Sequence, residues 1–258
     1  MFRSLLALFV GLGVGLLSGI VGIGGGTIFV PVLLFFYGFD IHAAVSTSIL
    51  AIAFTVTSSY LYYARRVKIR YRLGTLLELS TIPGAVIGSY MSNVLDRVLL
   101  EVIFSVALLL SSVKLIYDSV RGVKRVVRDI PLSEMDKGRL IIGLISCFVA
   151  GFVAGSVGIS GGSVKTPILI LVVDVPERIA IATSSYMMVL TTLAALVTHA
   201  AYGKIDYLLG AILGIGGFIG AQLGGRINIR LSKKKIRFIL GVVLLLISLR
   251  ILFDAVGL

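Results

Sequence analysis

Apolar stretches separated by short polar or glycine-rich breaks dominate this chain, and they fall into two groups of five. Most are close to the ~20 residues that a helix needs to cross the hydrocarbon core of a bilayer. The second stretch of each group has only ~11–12 residues, against the ~20 of a full crossing, and contains Pro31 or Pro167, which predicts a short broken helix or a re-entrant piece. The pattern therefore predicts an all-α polytopic membrane protein of eight to ten segments. The stretches are residues 4–21, 27–38, 42–63, 73–92 and 98–117, then 140–157, 163–173, 178–200, 207–225 and 236–253.

The second group of stretches repeats the first in sequence. From Gly15 the chain reads GLLSGIVGIGGGTIFVPVL, and from Gly151 it reads GFVAGSVGISGGSVKTPIL. The match extends at the same offset to AVSTS at 44–48 and AIATS at 180–184. We predict a first membrane repeat over residues 1–120, a basic cytoplasmic linker over 121–139 and a second membrane repeat over 140–258. Two homologous halves with glycine-rich breaks in apolar sequence are typical of secondary transporters.

The loop charges predict that the two halves have opposite orientations in the membrane. The loop at 65–72 reads RRVKIRYR and should be cytoplasmic, whereas its counterpart in the second half holds only Lys204 and Asp206. Conversely, the nearly neutral loop at 93–97 corresponds to a strongly basic loop at 226–237. We therefore expect inverted-topology repeats, each with an odd number of crossings, and both termini outside.

Composition supports the membrane assignment and excludes several other classes. Only 14% of residues are charged, against roughly 25% in soluble domains. The net charge of +12 could indicate a nucleic-acid partner, but the basic residues lie in short loops, so we assign them to lipid headgroups. With one cysteine and two histidines we expect no disulfide, no metal site and no cofactor. We also expect no enzymatic activity, because no nucleophile–base or carboxylate pair is close in sequence.

Two glycine-rich breaks are the first candidate elements of a binding site. Consecutive glycines unwind a helix, and the helix that follows presents free backbone N–H groups and its positive dipole end to an anion. Inversion predicts that the two breaks meet near the midplane of the membrane. The alternative, close helix packing through small residues, is favoured for Gly11, Gly13, Gly15 and Gly19. The candidate binding residues of the breaks are Gly24, Gly25, Gly26 and Thr27, and Ser160, Gly161, Gly162 and Ser163.

A lysine, a glutamate and two hydroxyl clusters complete the candidate site. Lys165 follows the second break, and a lysine within a membrane segment is a functional candidate, with snorkelling to the interface as the alternative. Glu78 could carry a coupling proton or pair with nearby arginines. The hydroxyls could hydrogen-bond an oxyanion, or they could bond back to their own helices. These hydroxyl-bearing residues are Ser46, Thr47 and Ser48, and Thr183, Ser184 and Ser185.

The assembled motifs resemble those of the sulfite exporter TauE/SafE family, also called the toluene-sulfonate uptake permease family. The resemblance rests on the spacing Gly15-x3-Gly19-x2-Gly22-x-Gly24-Gly25-Gly26-x4-Pro31, on its second copy and on the A-x-[SA]-T-S pair. One departure is Ser160, which occupies the position of Gly24. The resemblance implies a multi-pass carrier of the cytoplasmic membrane for sulfur-containing or small organic anions such as sulfite, sulfoacetate or sulfonates.

We therefore expect a secondary transporter that works by alternating access, in which the halves rock about a site built from both breaks, the hydroxyl clusters and Lys165. The absence of a GxxxxGK[ST] motif favours coupling to the proton gradient over nucleotide hydrolysis. An anion channel and a membrane scaffold are the alternatives. The expected partners are a small anionic substrate and the lipid bilayer, and the sequence leaves a homo-oligomer open.

Overall fold

The computed structural model describes residues 2–22, 24–39, 41–91, 97–121, 135–157, 162–201 and 205–256. Within these ranges the chain forms ten α-helices and no strand, which confirms the all-α prediction. The helices are α1 (Phe2–Val21), α2 (Gly26–Tyr37), α3 (Ile41–Ala64), α4 (Tyr71–Met91), α5 (Arg97–Val120), α6 (Lys137–Val157), α7 (Gly162–Leu171), α8 (Glu177–Ala201), α9 (Tyr207–Arg230) and α10 (Lys233–Val256).

Several of these helices are long and apolar enough to cross a membrane. Among the described residues, four spans meet both requirements: Ala43–Ala64, Glu177–Val197, Tyr207–Arg230 and Lys234–Phe253. Large apolar side chains such as Leu110, Val197 and Leu208 are more than 60% exposed, as expected for surfaces that face lipid rather than water. The protein is therefore a polytopic helical membrane protein, as the apolar pattern predicts.

The short helix α7 folds back along α6. At its far end the Asp174 carboxylate forms an ion pair with the Arg139 guanidinium, near the start of α6. A Cβ built on Gly143, one turn further into α6, would lie 3.1 Å from Cγ2 of Val173. The end of α7 thus returns to the end of the molecule where α6 begins. Whether this short segment crosses the membrane as a broken helix or is re-entrant stays a prediction.

The two halves of the chain are interlocked rather than side by side. Helix α1 packs along α9, and α4 packs along α6, so the fourth helix of each half lies against the first helix of the other. Helix α3 likewise packs on α9, and α8 packs on α4. One bundle therefore contains α1, α2, α3 and α9, and the other contains α6, α7, α8 and α4, while α5 pairs with α10. The repeat relates each pair to its counterpart: α1 with α9 corresponds to α6 with α4, and α3 with α9 corresponds to α8 with α4. That the two halves have inverted orientations in a membrane stays a prediction.

Glycines allow the backbones of the paired helices to touch. A Cβ on Gly15 would overlap the carbonyl oxygen of Gly217, and one on the equivalent Gly151 would overlap that of Thr81. Gly11 and Gly19 make the same kind of contact with α9, which confirms the packing interpretation for these three glycines of α1. For Gly13 that interpretation is wrong: it is exposed, and a Cβ there would have no neighbour within 4 Å.

Candidate functional site

The first glycine break is a left-handed segment of backbone between α1 and α2. Gly22, Gly24 and Gly25 have φ of 76°, 78° and 84°, a conformation that costs little only for glycine. Gly25 is the N-cap of α2, and its carbonyl oxygen accepts hydrogen bonds from the backbone N–H groups of Ile28 and Phe29. The predicted interruption of the helix is therefore confirmed at this position. The side chain of Thr27 lies outside the part that the structure describes.

The second break falls where the repeat predicts it, between the end of α6 at Val157 and the start of α7 at Gly162. Ser160 and Gly161 lie outside the described residues, as does the side chain of Ser163. That the two breaks meet each other therefore stays a prediction.

The first break lies directly against the short helix of the other half. The Thr166 hydroxyl on α7 donates a hydrogen bond to the carbonyl oxygen of Gly22, at 2.9 Å. Oγ of Ser184 on α8 lies 2.8 Å from Oγ1 of Thr166. A Cβ on Gly22 would come within 2.9 Å of the Ile181 side chain, so this approach requires glycine. A polar contact therefore connects the two bundles at the first break.

Lys165 and Glu78 form an ion pair in the interior of the second bundle. Nζ of Lys165 lies 2.6 Å from Oε1 of Glu78, and the two residues are 0% and 1% exposed. Lys165 therefore does not snorkel, and the alternative that Glu78 pairs with nearby arginines is also wrong. Two opposite charges in a dry interior are tolerated because each compensates the other.

Thr191 on α8 closes this arrangement into a triad. Its hydroxyl accepts a hydrogen bond from the Lys165 ammonium and donates one to Oε2 of Glu78, at 2.5 Å. The buried thiol of Cys147 on α6 lies near this triad and near the Thr81 hydroxyl. Helices α4, α6, α7 and α8 thus each contribute at least one side chain to a small buried polar cluster, which we call the pocket.

The equivalent position in the first bundle is apolar. In the repeat, Phe29 corresponds to Lys165, Gly214 to Glu78 and Gly217 to Thr81. Phe29 is fully buried, and a Cβ on Gly217 would lie 3.6 Å from its ring. Thr55, the counterpart of Thr191, bonds only back to the Ala51 carbonyl among the described contacts, at 2.9 Å. A ring therefore occupies the space that holds the ion pair in the other bundle.

The predicted hydroxyl clusters have partners within the protein. Oγ1 of Thr47 accepts from the backbone N–H of Asp206 at 3.0 Å, and Oγ1 of Thr183 accepts from that of Arg70 at 3.2 Å, so each fixes the start of a fourth helix.

The serines of these clusters divide between two kinds of contact. Ser48, Ser184 and Ser185 donate to carbonyl groups of their own helices, as the alternative interpretation predicts. Ser46 lies 3.0 Å from Nδ1 of His199, which joins α3 to α8. Of the two clusters, the structure connects Ser184 with Thr166, the residue after Lys165.

Thr166 and Thr191 are functional candidates that the sequence analysis missed. Thr191 lies seven residues after Ser184, a spacing that places both on one face of α8, so helical periodicity could have identified it. Thr166 follows Lys165 directly and could have been included with it. In the part of the chain that the structure describes, no three His, Cys, Asp or Glu side chains are grouped to hold a metal ion.

Comparison with known proteins shows which family this chain belongs to. Residues 7–251 match the sequence model of the family described as sulfite exporter TauE/SafE. The chain belongs to the TauE/SafE family. This membership confirms the resemblance that the doubled glycine motif and the A-x-[SA]-T-S pair indicate.

Relatives of this TauE/SafE protein come from bacteria and archaea. It is 29% identical to "Probable membrane transporter protein YunE" of Bacillus subtilis over 95% of its own length and 96% of that protein. It is 25% identical to YjnA of the same organism, over 96% and 100% of the two chains. It is 24% identical to MJ0441 of Methanocaldococcus jannaschii, over 93% and 91%. All three are named as membrane transporters, and no solved structure matches the chain.

Proposed function

We propose that this protein is a secondary transporter of small anions in the cytoplasmic membrane, with sulfur oxyanions or organosulfonates as substrates. Membership of a transporter family and the polytopic helical fold support the general activity. The observation that carries the anion site is the buried ion pair between Lys165 and Glu78. Relatives named as transporters point away from an enzymatic reaction.

The ion pair is better explained by function than by stability. A buried pair recovers little more than the cost of removing two charges from water, and apolar residues at the same place are often at least as stable. The other bundle demonstrates this alternative within the same molecule, because Phe29 fills the equivalent position. An ionisable pair retained deep in a membrane protein is by default a candidate for a substrate or proton pathway.

The triad offers an anion the contacts that Glu78 now makes. A sulfonate or sulfite oxygen could accept hydrogen bonds from the Lys165 ammonium and the Thr191 hydroxyl, replacing the ion pair and the hydrogen bond that the Glu78 carboxylate now makes with them. Glu78, displaced from its cation, would take up a proton rather than remain charged in the interior. Binding of an anion is in this way coupled to protonation of Glu78.

Alternating access would then move one interlocked bundle against the other. Glu78, Lys165 and Thr191 all belong to the bundle of α4, α6, α7 and α8, whereas the first glycine break belongs to the other bundle. The bond from Thr166 to Gly22 lies at the boundary between them, next to Lys165 in the chain. Movement at this boundary would uncover the pocket to one side of the membrane while the glycines absorb the change in backbone angles.

Counterflow in proteoliposomes tests the proposal against an anion channel. We expect internal unlabelled sulfite to accelerate the entry of [35S]sulfite, because a carrier returns faster when it is loaded. Lys165→Ala should abolish this exchange. Glu177→Gln is the matched control, since Glu177 is also a buried glutamate, 2% exposed, but lies outside the triad. Entry without acceleration by internal sulfite would support a channel, and exchange that survives in Lys165→Ala would remove the proposed site.

A further inference from the structure

We infer that the site binds monoanions together with one proton, so that the transport cycle moves no net charge across the membrane. The inference rests on the proposed transport function and adds the charge class of the substrate and the electrical character of the cycle. It follows from the charge balance of the pocket around Lys165.

The pocket holds one cation and one anion. Among the residues that the structure describes, the charged and titratable groups shown near Glu78 are the Lys165 ammonium from α7 and the Cys147 thiol from α6. Helix α8 contributes the neutral hydroxyl of Thr191, and α4 itself contributes that of Thr81. Lys165, Thr81 and Cys147 are 0% exposed, and Glu78 is 1% exposed. With both groups ionised, the pocket is therefore neutral and shielded from bulk solvent.

An uncompensated charge in such a pocket is strongly unfavourable, so each occupied state has to be neutral as well. If a monoanion displaced an ionised Glu78 from Lys165, the pocket would hold two negative charges and one positive charge. If Glu78 takes up a proton as the monoanion binds, the total returns to zero. The proton comes from the side to which the pocket is open and leaves with the anion on the other side.

The requirement that the occupied pocket be neutral also discriminates between anions of similar shape but different charge. A dianion such as sulfate would leave one negative charge uncompensated even when Glu78 is protonated. A sulfonate or hydrogen sulfite would not. The apolar counterpart around Phe29 and Gly214 has no second cation to accept the extra charge. Specificity for charge thus follows from the one lysine, Lys165, that is buried among the described residues of this bundle.

Titration calorimetry on the purified protein tests this inference with methanesulfonate, a permanent monoanion, and sulfate, a permanent dianion. Repeating the methanesulfonate titration in buffers of different ionisation enthalpy measures the protons taken up. We expect one proton per anion, and an affinity that falls by about tenfold per pH unit where Glu78 is ionised in the free protein. Sulfate should bind far more weakly. Lys165→Met should abolish methanesulfonate binding, because no cation remains to balance the anion, whereas Glu177→Gln should keep both the binding and the proton uptake.

Voltage provides a second measurement on the wild-type protein alone. In proteoliposomes, a pH gradient should drive accumulation of methanesulfonate, and a potential set by potassium and valinomycin should not. Anion binding without proton uptake, equal affinity for sulfate, or accumulation driven by the potential would each overturn the inference and leave the proposed function intact. Absence of binding by both anions, combined with absence of sulfite counterflow, would overturn the proposed function itself.

Discussion

Lys165 and Thr166 are neighbours in the sequence, yet their side chains contact different bundles. Lys165 pairs with Glu78 inside its own bundle, while Thr166 donates to the Gly22 carbonyl of the other. A single turn of α7 therefore connects the charge state of the pocket with the contact at the first glycine break. A change at one of these residues displaces the other, because consecutive helical residues share a rigid backbone.

The buried pair also makes a prediction about stability. Lys165→Met should destabilise the protein by about 3–5 kcal/mol near neutral pH, because it leaves the Glu78 carboxylate buried without its cation. The loss should shrink as the pH falls, since a protonated Glu78 needs no partner. The double variant Glu78→Gln with Lys165→Met should recover most of the loss, because it removes both charges. Thermal unfolding in detergent between acid and neutral pH measures all three effects, and a double variant no more stable than Lys165→Met would contradict the argument.

At the scale of helices, the glycine-lined pairs define which elements move together. The contacts between α1 and α9 recur between α4 and α6 at equivalent residues: Gly220 lies against the Leu12 carbonyl, and Gly84 against that of Phe148. Helices in such contact have little apolar driving force in lipid and depend on close van der Waals packing. Each pair is therefore sensitive to the addition of a single methyl group.

Two glycines of α1 allow a matched test of this packing. Gly15→Ala places a Cβ on the Gly217 carbonyl and should cost about 1–3 kcal/mol by forcing α1 and α9 apart. Gly13→Ala, half a turn away, meets no atom within 4 Å and should be neutral or stabilising by up to about 1 kcal/mol, because alanine favours the helix. Thermal unfolding of both variants measures the difference. Equal effects of the two substitutions would show that the close approach of α1 to α9 contributes nothing to the free energy of unfolding.

At the scale of the molecule, hydropathy predicts the helices but not their partners. An apolar run indicates a membrane helix wherever it packs, so all ten helices are close to the predicted segments. The exchange of fourth helices depends on contacts between residues about 60 to 200 apart in the sequence, such as Gly84 with Phe148 and Gly15 with Gly217, and local patterns do not encode these. Glu78 is a similar case. Its nearest cations in sequence lie at the start of α4, but Glu78 is buried two turns further along the helix and pairs with Lys165.

The packing of each fourth helix against the other half predicts how a chain cut between its two halves should behave. A cut between residues 122 and 134 leaves each fragment with a fourth helix whose packing partner is in the other fragment. The two fragments co-expressed should assemble and restore sulfite counterflow, whereas either one alone should be degraded, because the glycine faces of its helices remain uncovered. Detection of tagged fragments in membranes, together with the counterflow assay, checks both expectations. A fragment that accumulates alone as a stable protein would show that the halves fold independently.

The exchange of fourth helices also bears on how the gene arose. A five-helix ancestor with this packing would have been a homodimer, in which each subunit lent its fourth helix to the other. In such a dimer every mutation acts at both symmetry-related positions, so a lysine at one implies a lysine at the other. Duplication and fusion separate the two copies, and only then can one position become Lys165 while the other becomes Phe29. On this account, joining the two subunits into one polypeptide is what allowed a single charged pocket to evolve.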